Sequence, residues 1–119
     1  MTESEKIAQL NDELRASIGK PVDQVPGKIM MTHGISILDP GDQGAIFARV
    51  RDFNVFTEAN DPYKEHDFGT FDYDGYTVNW RISYYDKEAF EKGQECGSEH
   101  PEDPDKTLRI LTIMFASEN

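Results

Sequence analysis

The sequence predicts an α+β domain in which two helices pack on a small antiparallel sheet of three to four strands with a central β-hairpin. Apolar residues at helical spacing near the N-terminus and strict apolar–polar alternation over residues 76–84 support this fold class. Asp74-Gly75, directly before the alternating run, is the favoured type I′ hairpin turn. The length of 119 residues fits a single domain over residues 1–119, with an N-terminal helix and connector (1–27) and a core (28–119).

The first half of the chain predicts two helices and one strand. Apolar residues recur at spacings of three and four over residues 3–18, and Thr2 with Glu5 fits a capping box. A short apolar strand follows at residues 28–32. Asp39-Pro40 is a helix start, because aspartate caps well and proline is tolerated at the first helical position. This second helix is expected to end before the Asn-Asp-Pro turn that starts at residue 60.

The hairpin fixes a register once Tyr73 is paired with Tyr76. Gly69 then opposes Trp80, which leaves space for the indole ring. Neighbouring strand residues face opposite sides, so Asp67 is expected on the core face and His66 on the polar face opposite Ser83. We therefore expect the partners of His66 at Ser83 or in the loop after residue 86, and no local Glu-His-Asp triad.

The last strand, predicted over residues 107–116, is apolar on both faces, which indicates a central strand. About twenty residues separate it from the hairpin, with a short helix expected at residues 87–92 and loop thereafter. Loops of this length inside compact domains are usually functional or disordered.

Charge is the strongest global signal. The net charge is −11, and residues 59–119 carry fourteen acids against six bases. Residues 86–105 alone contain eight acids and two lysines. A field of this sign repels nucleic-acid backbones and anionic membranes and attracts basic surfaces. Nucleic acid and membranes are therefore excluded as expected partners.

Targeting and redox signals are absent from the printed sequence. We find neither a signal-peptide pattern nor a run of about 20 apolar residues, and we expect a soluble cytoplasmic protein. Cys96 is the only cysteine, so no internal disulfide forms. Its acidic neighbours disfavour a nucleophilic thiolate.

Three stretches carry a family resemblance: NDPYKEHDFGTF from residue 60, WRISYYD from residue 80 and GSEHPEDPDKTLRILTIM from residue 97. They resemble the signature blocks of domain of unknown function 3768, over roughly residues 30–118. The resemblance implies a small bacterial protein, common on plasmids and other mobile segments, with no established activity.

The leading functional hypothesis is a non-enzymatic protein that binds a basic protein partner through an acidic face and needs no cofactor. It includes an inhibitor or decoy of a nucleic-acid-handling complex, of the nucleic-acid-mimic, anti-CRISPR or anti-restriction type. The expected binding residues are seven carboxylates: Glu88, Glu91, Glu95, Glu99, Glu102, Asp103 and Asp105.

Two alternatives remain open. The first is a small metal-dependent enzyme that uses His66, Asp67, Asp86 and His100, although no established metal-ligand spacing is present. The second is a structural or dimerising module that forms a homodimer.

Overall fold

The fold is a four-stranded sheet with its two long helices on one face, as described for residues 1–118 by a computed structural model. The strands are β1 (Lys28–Met31), β2 (Phe68–Tyr73), β3 (Tyr76–Asp86) and β4 (Thr107–Phe115). The helices are α1 (Glu3–Ala16), α2 (His33–Ser36), α3 (Pro40–Arg51) and α4 (Lys87–Glu91), with 3-10 turns at Val22–Gln24 and Ala116–Glu118. The predicted α+β class is confirmed.

The sheet has the strand order β1-β4-β3-β2. The β2–β3 hairpin pairs with the predicted register, from Phe68 opposite Arg81 to Tyr73 opposite Tyr76. β4 is a central strand, as its apolar character on both faces predicts. β1 runs parallel to β4, so the sheet is mixed rather than wholly antiparallel. This pairing is long-range and leaves no local sequence signal.

The core lies between one face of the sheet and the helices. Trp80, Val78 and Leu111 project from the central strands and are fully buried. Leu14 of α1 and Val50 of α3 pack into the same cluster and are equally buried. Both helices thereby bury an apolar stripe against the sheet, which is the usual way in which such layers stabilise each other.

Helix boundaries follow local capping. The Thr2–Glu5 capping box forms at the start of α1, and the Asp39 carboxylate accepts a hydrogen bond from the Asp42 N–H at the start of α3. α3 ends at Arg51, well before the turn at residue 60, and residues 54–67 form an irregular connection. Within residues 1–118, no helix is long and apolar enough to cross a membrane.

Candidate functional site

Residues 60–67 form an irregular turn that presents His66 beside α1. The buried Asp61 carboxylate accepts hydrogen bonds from the N–H groups of Glu65 and His66, at 3.0 and 3.1 Å. Lys64 and His66 adopt left-handed φ angles of 58° and 56°, which are uncommon for residues with a side chain. The Asp61 bonds support this strained backbone, and they take His66 out of the regular strand.

His66 is held between two carboxylates and a ring. Its Nδ1 lies 3.0 and 3.1 Å from the two Asp12 oxygens, and its Nε2 lies 3.8 Å from Asp61 Oδ2. The imidazole stacks on Phe56 with centroids 3.9 Å apart and planes 6° from parallel. The expectation that His66 contacts Ser83 or the loop after residue 86 is therefore wrong. The left-handed backbone breaks the strand alternation on which that expectation depended.

Asp12 also binds a buried cation, Arg15. The Arg15 Nη2 donates to Asp12 at 2.7 Å, and Nη1 donates to the carbonyls of Val50 and Phe53 at 3.0 and 2.9 Å. The guanidinium lies 4.8 Å from the centroid of the Trp80 ring. Arg15 therefore joins α1 to the C-terminal end of α3 and links the His66 cluster to the core.

A second polar network lies next to this cluster and centres on Asn11. The Asn11 amide donates to the Glu65 carbonyl at 2.9 Å and to the Tyr84 hydroxyl at 2.8 Å, and it accepts from Arg109 Nε at 2.8 Å. Arg109 also donates to the carbonyl of Pro101. Burial raises the pKa values of Tyr84 and Glu65 and lowers the pKa of Arg109. The network links α1, β3 and β4 through the side chains of Asn11, Tyr84 and Arg109. Breaking it would leave buried polar groups without hydrogen-bond partners, which lowers stability.

A cleft of about 600 Å³ runs along α1 beside His66 and is lined by Ala8, Asp12, Ala16 and Lys64 among others. A histidine oriented by a carboxylate is a common arrangement for acid–base chemistry. In this protein, however, the second ring nitrogen faces the buried Asp61. The arrangement therefore suits a clamp between α1 and the turn better than proton transfer to a bound substrate.

The four residues of the metal hypothesis are not assembled into a metal-binding group. The Asp86 carboxylate accepts a hydrogen bond from the Ala89 N–H at 2.9 Å and so caps α4. Asp67 is half-buried, and its burial raises the pKa of its carboxyl. His66 faces Asp12, whereas His100 lies 3.9 Å from Glu102. Across residues 1–118, no group of three or more His, Cys, Asp and Glu side chains is placed to hold a metal ion.

The acidic segment, residues 86–106, is tied to the sheet by backbone hydrogen bonds. The Asp86 N–H donates to the Cys96 carbonyl at 2.7 Å, and the Ser98 N–H donates to the Tyr84 carbonyl at 3.1 Å. Near its other end, the Thr107 hydroxyl donates to the His100 carbonyl at 2.6 Å. These hydrogen bonds hold the acidic segment against the end of the sheet.

Five of the seven predicted binding carboxylates are exposed: Glu88, Glu91, Glu95, Glu99 and Asp105. Glu102 is half-buried and acts electrostatically on Arg109. Asp103 is also half-buried and accepts a hydrogen bond from the Asp105 N–H at 2.9 Å. A cleft of about 370 Å³ on the same segment is lined by Asp86, Glu88, Glu91, His100 and Asp105, with Lys87 and Lys106 at its wall.

Sequence reasoning missed the contribution of α1 to the polar cluster. Asn11 and Arg15 lie four residues apart on the same helix face as Leu14, and all three are buried. Polar residues that fall within an apolar stripe are the signal that could have found them, because buried polar groups need partners.

The comparisons with known proteins point to one family. A family model described as "Protein of unknown function (DUF3768)" matches residues 31–118, which is most of the chain. Neither the curated proteins nor the solved structures contain a match. The chain therefore belongs to the DUF3768 family, as its three sequence blocks predict.

Proposed function

We propose that the protein acts without catalysis, by binding a basic surface of a partner protein through its acidic segment. The observation that supports this most directly is that exposed carboxylates stand on a segment tied by hydrogen bonds to the sheet. A charged surface that is already ordered loses little conformational entropy on binding. Such a surface needs no catalytic residue and no cofactor.

The charge distribution supports a basic partner. Residues 86–105 carry eight acids and two lysines, within a chain of net charge −11. Lys92 Nζ lies 3.1 Å from Glu88, but both groups are exposed, and such pairs contribute little. The segment therefore keeps a strongly negative field, which speeds the approach of basic proteins and weakens as salt is added.

In its finer form, the proposal is a decoy for a nucleic-acid-handling enzyme in the cytoplasm. Carboxylates fixed along a segment offer a basic groove the same kind of charge as a phosphate backbone. A restriction or CRISPR complex has the kind of basic groove that such a segment fits. Small size and the mobile-element context implied by the family resemblance are consistent with this role.

The test is capture of partners from a bacterial lysate with three forms of the tagged protein. The first is the wild type, the second carries Glu88→Lys, Glu91→Lys and Glu95→Lys, and the third is a matched control. The control reverses three exposed acids elsewhere, Glu13→Lys, Asp23→Lys and Glu58→Lys, so the net charge changes equally. We expect a basic partner that elutes with salt from the wild type and the control and is missing from the segment variant.

Two outcomes would contradict the proposal. An equal loss of capture in both reversed forms, relative to the wild type, would show that net charge rather than the acidic segment attracts the partner. Capture that resists high salt and survives both sets of reversals would show that the interface is not electrostatic.

A further inference from the structure

A groove separates helix α3 from the edge strand β2. Its volume is about 570 Å³, and its lining includes Ala45 and Ala48 on the helix and Thr70 and Phe71 on the strand. The alanine side chains of the helix are small and leave the groove open, and Val55, at 62% exposure, adds apolar surface to its lining. The groove lies on the opposite side of the hairpin from β4, because β2 is the last strand in the sheet order.

The backbone of β2 has hydrogen-bonding groups that face away from the sheet. The Ile82 N–H donates to the Asp67 carbonyl at 2.8 Å, which makes 67 and 82 a hydrogen-bonded pair of the antiparallel ladder. Since bonded and non-bonded pairs alternate, Phe68, Thr70 and Asp72 direct their N–H and C=O groups outward. Among residues 1–118, no further strand covers this edge.

We propose that this groove binds an extended segment of a partner protein as an added strand beside β2, with alternating apolar and basic residues. Free backbone groups on an edge strand recognise an extended chain, and adjacent pockets select alternate side chains. The proposal concerns a surface separate from the acidic segment and does not depend on the function proposed for that segment.

The alternating pattern follows from the two sides of the added strand. One set of its side chains would lie in the groove against Ala48 and Phe71, which favours small apolar residues. The other set would lie on the open face of the sheet beside the exposed Asp72 carboxylate, which favours lysine or arginine. The net charge of −11 favours the same sign.

A second copy of this chain is a poorer occupant. Self-pairing of two β2 edges would bring together two molecules of net charge −11. Like charges at an interface oppose association. The charge therefore favours a basic segment of a different protein.

Arg49 is part of the groove lining. Its guanidinium lies over the Phe71 ring, 4.6 Å from the centroid, and its Nη1 lies 3.5 Å from the Asp72 carbonyl. That distance is at the limit of a hydrogen bond, so the N–H of an incoming strand can replace the contact.

The test uses the full chain, isotope-labelled for amide NMR, and a short synthetic peptide of alternating valine and lysine. We expect shifts centred on the amides of residues 68–72 at peptide concentrations up to about 1 mM, where weak binding is still measurable. A control peptide has the same side chains with an N-methyl group on every backbone nitrogen, so that no donor can face the edge in either strand direction. It keeps the charge but removes the backbone donors that face the edge, and we expect it to bind at least about fivefold more weakly.

Protein variants provide a second control. Thr70→Pro removes an outward N–H that the sheet does not use, and proline is tolerated on edge strands. We expect it to lose peptide binding, whereas Thr70→Val keeps both the N–H and the binding. Ala48→Arg fills and charges the groove from the helix side and should also abolish binding, which keeps the test decisive if Thr70→Pro is poorly folded.

Three results would overturn the proposal: no shifts at residues 68–72, equal binding of the N-methylated peptide, or binding that survives Ala48→Arg. Shifts confined to residues 86–106 would place the peptide on the acidic segment instead. That result would refute the groove site without counting against the proposed function.

Discussion

Gly69 stands in the His-Asp-Phe-Gly stretch of the family blocks, and its role can be tested by adding one methyl group. A Cβ at this position would lie 2.3, 2.6 and 2.8 Å from three atoms of the Trp80 indole. Carbon atoms in favourable contact are about 3.5–4.0 Å apart, so the ring or the strand must move by more than about 1 Å. We therefore expect Gly69→Ala to be destabilising although it adds only a methyl group.

The size of the effect follows from how tightly Trp80 is held. The indole is fully buried, and Phe53 and Phe56 pack edge-on against it at centroid distances of 5.5 and 6.3 Å. Arg15 lies over its face. Overpacking typically costs about 1–3 kcal/mol, and the lack of room places this variant near about 3 kcal/mol. The corresponding fall in melting temperature is about 10 °C.

The assay is urea unfolding followed by circular dichroism, with Gly44→Ala as the matched control. Gly44 lies inside α3, and a Cβ there meets no atom within 4 Å. The control should gain up to about 1 kcal/mol, because alanine is the better helix former. Gly69→Ala is also measured in a Trp80→Phe background. That exchange leaves a smaller ring with room to tilt away from residue 69, and among the described residues it breaks no hydrogen bond of the indole N–H.

The reasoning would be refuted by a loss below about 0.5 kcal/mol for Gly69→Ala, since overpacking would then be absent. It would also fail if the loss were the same in the Trp80→Phe background. In that case the cost would come from the backbone rather than from the indole.

Two further predictions concern ionisable groups. Burial raises the pKa of Asp67, so this carboxyl weakens folding as pH rises from below its unfolded pKa through its folded pKa. Asp67→Asn should therefore raise the free energy of unfolding at pH 7, by less than about 1 kcal/mol, and with it the melting temperature. A gain that persists at about pH 3, where the carboxyl is protonated in both states, would show that burial of its charge is not the reason. Arg15→Met should cost about 3 kcal/mol in urea unfolding, because Asp12 and the carbonyls of Val50 and Phe53 lose their donor. The exposed Arg51→Met is the control, and a similar loss in both variants would refute a special role for Arg15.

The predictable part of the fold is the part that local chemistry decides. The Asp74-Gly75 turn sets the pairing of Tyr73 with Tyr76, and alternation then determines every pair along the hairpin. The caps of α1 and α3 depend on residues within three positions of the helix start. Each of these features was therefore accessible from the sequence.

The unpredicted part depends on contacts between distant residues. Asp12 meets His66 across 54 positions, and Arg109 meets Asn11 across 98. The left-handed backbone at His66 also interrupts the strand periodicity from which its neighbours were inferred. Spacing alone could therefore identify His66 as a notable residue but could not identify its partners.

The family match begins at residue 31, yet α1 supplies much of what holds the matched part together. Ile7 and Leu14 of the helix and Ile18 just after it are at most 9% exposed. Burying each is worth about 1.5–3 kcal/mol, so together the three contribute about 4.5–9 kcal/mol. That is comparable with the whole stability of a typical domain, about 5–15 kcal/mol.

We therefore expect a fragment of residues 28–118, which keeps all four strands, to lack a cooperative unfolding transition. Without α1, Arg109 loses Asn11 and His66 loses Asp12, so buried polar groups are left unpaired in addition to the exposed core. A peptide of residues 1–27 added in trans should restore the cooperative transition and the fluorescence of Trp80. The peptide contains every α1 residue whose contacts the fragment lacks. A fragment that unfolds cooperatively by itself would show that α1 is an accessory helix. The polar cluster around His66 would then need a role other than joining α1 to the sheet.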